Sequence, residues 1–166
     1  MAEITFHNET PVHTNGELPA VGASAPAFEV LGADLAPIKL SDFAGKNLIL
    51  NIFPSIDTGV CATSVRTFNK EAASLENTVV LCVSKDLPFA LGRFCGAEGI
   101  ENVVTSSAFR SSFGADYGVL MEDGPLEALL ARSVVVINPA GEVVHAELVS
   151  ELTNEPNYEA AKAAIA

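Results

Sequence analysis

The sequence is short of basic residues, and this shortage excludes two classes of partner. Its 166 residues contain 9 lysines and arginines against 21 aspartates and glutamates, which gives a formal net charge of −12 at pH 7. A surface with this charge repels the phosphates of nucleic acids and of anionic membranes. We therefore expect neither a nucleic acid nor a membrane surface as a partner.

Cysteines and long apolar runs are also scarce. Three cysteines in 166 residues are too few for a disulfide scaffold. No run approaches the roughly 18 apolar residues that a membrane span needs. Residues 1–20 lack the basic and apolar regions of a secretory signal. We therefore predict a cytoplasmic protein, in a compartment where thiols are normally kept reduced.

The composition is that of an ordinary folded domain. Hydrophobic residues make up 49% of the chain and charged residues 18%, and a domain of this length buries roughly 70% of its unfolded surface. We predict one domain over residues 1–166. Two short β-type runs before the turn dipeptide at 15–16 indicate that residues 1–20 form a β-hairpin, an N-terminal extension of this domain.

The spacing of apolar residues predicts an α/β fold. Strands and helices alternate in the order strand 48–53, helix 61–75, strand 79–83, a second helix and strand 103–105. Asp86, with Pro88 two residues later, starts the second helix, and Gly96 or Gly99 ends it. A pair of strands at 134–137 and 143–148 and a terminal helix from Asn157 to Ala166 follow. Helical crossovers give parallel strands and the late pair adds antiparallel ones. The prediction is therefore a mixed central sheet flanked by helices, as in the thioredoxin-like fold.

Cys61 is the sharpest candidate for chemistry. A buried strand ends at Pro54, a turn follows, and Cys61 lies in the first turn of the next helix, three residues after Thr58. The N–H groups of a first helical turn have no intrahelical partner and the helix dipole is positive there, so both favour a thiolate. Thr58 or Asp57 can cap this helix. A small buried residue at a helix start is the alternative interpretation, and the Pro-x-x-x-Thr-x-x-Cys pattern argues against it.

The other two cysteines lie in different surroundings. Cys95 lies late in its helix beside glycines, where a helix can fray, and a packing role is the alternative at this position. Cys82 lies inside an apolar strand, so we predict that it is buried and inert. If two of the three cysteines pair, Cys61 and Cys95 are the expected pair because each lies at a helix end.

Arg132 immediately precedes the apolar strand 134–137. A charged group at that position is costly unless it has a partner. A thiolate is one candidate partner and an acidic residue, such as Glu122 or Asp123, is the other; the sequence leaves both open. Arg66 follows Cys61 by five residues, so we expect it on the solvated face of the helix.

Residue types that bind metals are present without the spacing that metal sites need. No Cys-x-x-Cys pair occurs, which also argues against a thioredoxin-type disulfide reductase. The three histidines show no ligand spacing; they are His7, His13 and His145. We therefore expect neither a metal nor another cofactor.

Residues 51–66 resemble the active-site signature of the thiol peroxidase branch of the peroxiredoxins. They read NIFPSIDTGVCATSVR, and residues 93–99, which read RFCGAEG, resemble the resolving-cysteine helix of that branch. The similarity extends from Gly22 to the end of the chain and, more loosely, to the N-terminal hairpin. The Pro-x-x-x-Thr-x-x-Cys pattern is general to peroxiredoxins, whereas the paired context of Cys61 and Cys95 is specific to bacterial thiol peroxidases.

The resemblance implies a homodimeric, thioredoxin-like peroxidase of antioxidant defence that reduces alkyl hydroperoxides and hydrogen peroxide. Cys61 would be the peroxidatic nucleophile that becomes a sulfenic acid, and Cys95 would close an intramolecular disulfide that thioredoxin reduces. Arg132 would hold the thiolate, Thr58 would contact the peroxide and Pro54 would shield the pocket. A peroxide sensor that passes its disulfide to a partner protein shares these residues and stays open as the alternative.

Overall fold

The computed structural model describes residues 1–165, whose strands and helices follow the predicted order. The strands are β1 (Glu3–Phe6), β2 (Thr10–His13), β3 (Glu29–Gly32), β4 (Pro37–Lys39), β5 (Asn47–Ile52), β6 (Thr78–Ser84), β7 (Val104–Ser107), β8 (Ser133–Ile137) and β9 (Val143–Leu148). The helices are α1 (Gly59–Ala72), α2 (Pro88–Glu98), α3 (Phe113–Asp116) and α4 (Tyr158–Ala163), with a 3₁₀ turn at Leu40–Phe43.

A mixed sheet forms the centre of the fold, and its register positions the site. Over residues 1–165 its strand order is β4-β3-β7-β6-β5-β8-β9. β5, β6 and β7 are parallel, and β8 is antiparallel to β5. Ile52 of β5 pairs with Ser133 of β8, so the residue before β8 lies beside the end of β5. This register brings Arg132 to the point where the turn toward Cys61 begins.

The sheet is covered on both faces, which explains the near-continuous apolar runs of its central strands. Leu50 of β5 packs in a core beneath the N-terminal hairpin and the segment 108–131. Its neighbour Ile49 points to the opposite face and packs with residues of α1, α2 and α4. The alternation follows from the two-residue period of a strand. The predicted mixed central sheet with flanking helices and an N-terminal hairpin is confirmed.

The ends of the helices follow local sequence signals. Thr58 is the N-cap of α1, and its hydroxyl oxygen accepts a hydrogen bond from the Cys61 N–H over 3.3 Å. Pro88 occupies the first turn of α2, and Gly99 ends that helix in the left-handed conformation, with φ of 66°. The terminal helix ends at Ala163, so the prediction extended it too far; Ala166 lies outside the described residues.

The N-terminal hairpin lies against the body of the protein. β1 and β2 pair with each other in a separate two-stranded sheet. His7 and Asn8 form the tip, and both have left-handed backbone angles, with φ of 58° and 59°. Among residues 1–165, no helix has the length and apolar character that would let it cross a membrane.

Candidate active site

Cys61 is fully buried in the first turn of α1, directly after the turn that leaves β5. The Thr58 side chain forms hydrogen bonds with backbone groups on both sides of it in this turn. The Thr58 hydroxyl donates to the Ser55 carbonyl over 3.1 Å while its oxygen accepts from the Cys61 N–H. The sulfur therefore lies at the positive end of a capped helix, the position that favours thiolate over thiol.

Arg132 faces the Cys61 sulfur. Its Nη1 donates to Cys61 Sγ over 3.4 Å, while Nε and Nη2 donate to the Leu152 carbonyl over 3.1 and 2.8 Å. Arg132 is only 2% exposed. In the described part of the chain no carboxylate forms an ion pair with it. The acidic alternative left open by the sequence is therefore not realised, because Asp123 instead accepts two hydrogen bonds from His13.

This arrangement has an electrostatic consequence. A buried guanidinium without an anion is costly, and the Cys61 sulfur is the group beside it that can become anionic. The guanidinium of Arg132 and the positive end of the α1 dipole therefore both face this sulfur.

A cleft of about 320 Å³ leads to Arg132. Pro54, Thr58 and Arg132 all line it, so the structure brings these three candidates to one cleft, and Cys61 is buried behind it, in contact with Thr58 and Arg132. The rest of its wall is mainly apolar and includes Phe6, Val60, Leu126 and Leu152. A concave, apolar site with a few convergent polar groups is the common form of a small-molecule site.

Asp86 also belongs to the site, and its role there was not predicted from the sequence. The sequence indicated it as the start of α2, but the N-cap is Leu87, which forms no side-chain cap. The Asp86 carboxylate instead accepts hydrogen bonds from Ser55 Oγ, the Ile56 N–H and Ser84 Oγ, over 2.8, 2.7 and 2.6 Å. It thus anchors the turn that precedes Cys61. The available signal was its place after β6, whose end lies beside the end of the parallel strand β5.

Cys95 lies outside the cleft, half-buried in the last turns of α2. Its sulfur is 3.5 Å from the Thr105 hydroxyl oxygen, and Cys61 and Cys95 are both free thiols. A disulfide between them requires that at least one sulfur leaves its present neighbours. Arg66 lies on the exposed face of α1, as predicted, and its salt bridge with Glu98 ties α1 to α2.

Cys82 is buried, as the sequence predicts. Burial raises the pKa of the Cys82 thiol to about 12, although a hydrogen bond from Asn51 acts in the opposite direction. At neutral pH this thiol is protonated and therefore a poor nucleophile.

Comparison with known proteins defines the class to which this fold and site belong. The Redoxin family model matches residues 20–162, and the chain belongs to this family of thioredoxin-fold proteins. A peroxiredoxin-like protein from Aquifex aeolicus has a similar structure, with a TM-score of 0.89 and 37% identity over 96% of this chain and 93% of that one. The thiol peroxidase from Chromobacterium violaceum has a TM-score of 0.88 at 19% identity, covers 95% and 91% of the two chains, and shows the fold alone.

Curated relatives narrow the class further. A thiol peroxidase from Corynebacterium glutamicum is 58% identical over 166 residues, and one from Mycobacterium tuberculosis is 60% identical over 165 residues. Each comparison covers 99% of this chain and 99% of the relative. The resemblance found in the sequence is confirmed: the chain is a thiol-dependent peroxidase of the peroxiredoxin type.

Proposed function

We propose that Cys61 is the residue that reduces the hydroperoxide and that Cys95 resolves the oxidised form. The observation that carries this proposal is the hydrogen bond from the buried guanidinium of Arg132 to Cys61 Sγ, because Arg132 has no carboxylate partner within residues 1–165. A thiolate held in this way at a helix N-terminus is the activated form of a cysteine nucleophile.

The first step transfers one oxygen atom to sulfur. The Cys61 thiolate attacks the terminal oxygen of ROOH, the O–O bond breaks, and the leaving RO⁻ takes up a proton to become ROH. The product on the protein is the Cys61 sulfenic acid. Arg132 donates to the oxygens as negative charge moves onto them. The Thr58 hydroxyl already donates to Ser55 and accepts from the Cys61 N–H, so one lone pair of its oxygen remains to accept a hydrogen bond from the hydroperoxide. Pro54 shields the reacting atoms from water.

The second half of the cycle restores the thiols. The Cys95 thiol attacks the sulfenic sulfur, a Cys61–Cys95 disulfide forms and water leaves. A protein dithiol then reduces this disulfide by exchange and is itself oxidised. We propose thioredoxin as that dithiol, in a cytoplasmic cycle of antioxidant defence, because the cycle needs a compartment whose reductants keep thiols reduced.

The cleft favours organic hydroperoxides as substrates. Its apolar wall includes Phe6, Val60 and Leu126, while Arg132 and Thr58 supply the polar end. An alkyl or aryl group can pack against that wall while the O–O group meets Arg132. Hydrogen peroxide needs only the polar end, so it is also reduced.

A coupled assay tests the physiological reductant. The oxidation of NADPH is followed with cumene hydroperoxide and either thioredoxin with its reductase or the monothiol glutathione with glutathione reductase. We expect multiple turnover with thioredoxin and at least about tenfold slower turnover with glutathione, because a vicinal dithiol resolves the mixed disulfide intramolecularly. Consumption of a single equivalent of peroxide, with no turnover in either system, would instead favour the peroxide sensor.

An exposed apolar patch supports a homodimer. Leu35, Leu87, Phe89 and Phe109 are 46–69% exposed and surround a groove of about 280 Å³. Exposed apolar patches of this kind mark interaction surfaces. The net charge of −12 makes two copies repel each other elsewhere, whereas this patch allows close approach. We propose that the same patch on a second copy covers it, in a two-fold symmetric contact.

A single charge in this patch tests the dimer. Phe109→Glu places a carboxylate where an apolar side chain would be buried, so we expect dimerisation to weaken by about 100-fold or more. Val21→Glu adds the same charge at a site that is 63% exposed and outside the patch. This variant should therefore remain a dimer. Light scattering should give twice the 17.3 kDa chain mass for the parent protein and the Val21 variant. A parent protein that is already monomeric contradicts the proposal.

A further inference from the structure

Glu151 is a buried carboxylate outside the residues considered so far. It is 4% exposed, and among residues 1–165 it forms no ion pair with a basic side chain. Burial raises its pKa, but hydrogen bonds from Thr153, Thr5 and the backbone N–H of Asn8 outweigh burial and hold the pKa at about 2. The carboxylate is therefore ionised at neutral pH and stabilised by hydrogen bonds alone.

Its hydrogen bonds join two segments that are far apart in sequence. Oε1 accepts from the Thr5 hydroxyl over 2.7 Å and from the Asn8 N–H over 2.8 Å, both on the hairpin. Oε2 accepts from the His7 N–H over 3.3 Å, from the Thr153 N–H over 2.7 Å and from the Thr153 hydroxyl. The left-handed angles at the hairpin tip turn the His7 and Asn8 N–H groups toward one anion.

The backbone reinforces this connection on both sides of Glu151. The Thr5 N–H donates to the Ser150 carbonyl over 2.9 Å, and the Leu152 N–H donates to the Thr5 carbonyl over 2.9 Å. Residues 150–153 are named here the Glu151 loop. Three successive residues of this loop are therefore attached to Thr5 of β1, by its backbone and by its hydroxyl. The position of the Leu152 carbonyl depends on this attachment.

The Leu152 carbonyl in turn fixes the direction of Arg132. It accepts from Nε and Nη2 of the guanidinium, which leaves Nη1 aimed at Cys61 Sγ. A planar guanidinium held at two nitrogens has little freedom to rotate. A shift of the Leu152 carbonyl therefore redirects the Nη1–H away from the sulfur.

We propose that Glu151 is a positioning residue for peroxide reduction: its carboxylate fixes the Leu152 carbonyl, which aims Arg132 at Cys61. This inference rests on the role proposed above for Arg132. It assigns to the N-terminal hairpin a part in the chemistry as well as in the wall of the cleft, because three of the five donors to Glu151 come from that hairpin.

The test uses Glu151→Gln in a full-length Cys95→Ser chain, in which the first step is isolated. Glutamine keeps the size of the side chain, but its NH₂ group cannot accept the hydrogen bonds that converge on one carboxylate oxygen. Two rates are measured at neutral pH: oxidation of Cys61 by hydrogen peroxide, and alkylation of Cys61 by iodoacetamide. We expect both to fall about tenfold, since a small misdirection of a catalytic donor has an effect of this size.

Asp123→Asn is the matched control. Asp123 accepts from the His13 N–H and ring over 2.7 Å each, so its change loosens the hairpin at the other end of β2 without touching the Glu151 loop. We expect both rates to stay within about twofold of the parent chain, because effects on distant, independent sites do not couple. Equal losses in the two variants would overturn the proposal, since any loosening of the hairpin would then suffice.

Two further variants separate the possible failures. Wild-type rates in Glu151→Gln, with slow rates in Arg132→Lys, would overturn the inference and leave the role of Arg132 intact. Wild-type rates in Arg132→Lys would overturn that role itself. If Glu151→Gln does not fold, Thr153→Val and Thr153→Ser replace it: Val removes the hydroxyl donor to Glu151 and Ser keeps it, so only Val should slow both rates.

Discussion

Replacement of Cys61 by serine is expected to lower the turnover of hydroperoxide by about 10⁴-fold or more, as the loss of a covalent nucleophile does in other enzymes. A serine hydroxyl is not ionised beside Arg132 at neutral pH, and its oxygen cannot be oxidised to the equivalent of a sulfenic acid. The measurement is the initial rate of NADPH oxidation with cumene hydroperoxide and the thioredoxin system. The rate of the same reaction without the protein sets the lowest turnover rate that can be measured.

Two other cysteine variants are the controls for this result. Cys82→Ser changes a buried, protonated thiol, so its turnover should stay within about twofold of wild type. In the presence of thioredoxin, Cys95→Ser should consume one equivalent of peroxide and then no more, because no resolving thiol remains. Turnover by Cys61→Ser at the wild-type rate would show that the nucleophile is assigned wrongly.

Replacement of Arg132 by methionine is expected to slow the oxidation of Cys61 by about 100-fold or more, the usual loss when a preorganised donor is removed from a developing negative charge. The change removes the cation beside Sγ, which is also the donor that we propose for the peroxide oxygens. Because the chain contains no tryptophan, the rate is best measured by competition with a haem peroxidase for hydrogen peroxide. Arg132→Lys keeps the charge but not the planar fork, so an intermediate loss of about tenfold is expected.

Arg66→Met is the matched control for this prediction. It removes the same charge from α1, five residues after Cys61, but Arg66 is half-exposed and paired with Glu98. Exposed charges are screened by water and salt, so the rate should stay within about twofold of wild type. Equal losses in Arg66→Met and Arg132→Met would show that only the general field of the protein matters.

The fold could be read from the sequence where local pattern and burial agree. Strands β5, β6 and β8 have apolar side chains on both faces, and α1 shows helical spacing, so these elements were predicted. The start of α2 was assigned to Asp86 because an acidic residue before Pro88 is a common helix signal. In the structure that carboxylate instead accepts hydrogen bonds from Ser55 and Ile56 in the turn after β5. This is a tertiary contact, which a local sequence pattern does not reveal.

The site was predictable only in part, for the same reason. Thr58 and Cys61 are one helical turn apart, so their spacing alone indicates their contact. Arg132 is 71 residues from Cys61, and its approach depends on the register between β5 and β8, so the sequence left its partner open. Leu152 acts through its carbonyl, which every residue type has. Glu151 is buried by hairpin groups 143–146 residues away, and nothing in its own neighbourhood signals this.

The proposed disulfide step sets a structural condition on both cysteines. Cys61 contacts Arg132, whereas Cys95 contacts Thr105 of β7. Disulfide geometry requires Cα atoms within about 7 Å, with both sulfurs free to turn toward each other. Gly96 and Gly99 follow Cys95, so the end of α2 is the segment that we expect to unwind when the sulfenic acid forms.

Mass spectrometry of the oxidised protein tests the central claim most directly. The reduced chain and its Cys95→Ser variant are each treated with one equivalent of cumene hydroperoxide, blocked with an alkylating agent and digested. We expect a Cys61–Cys95 linked peptide, lighter by two hydrogens, in the parent chain. In the variant we expect a sulfenic acid on Cys61, which dimedone converts to a thioether with loss of water, so that the Cys61 peptide is recovered as its dimedone adduct. A disulfide that includes Cys82, or an unmodified Cys61 after the peroxide is consumed, would contradict it.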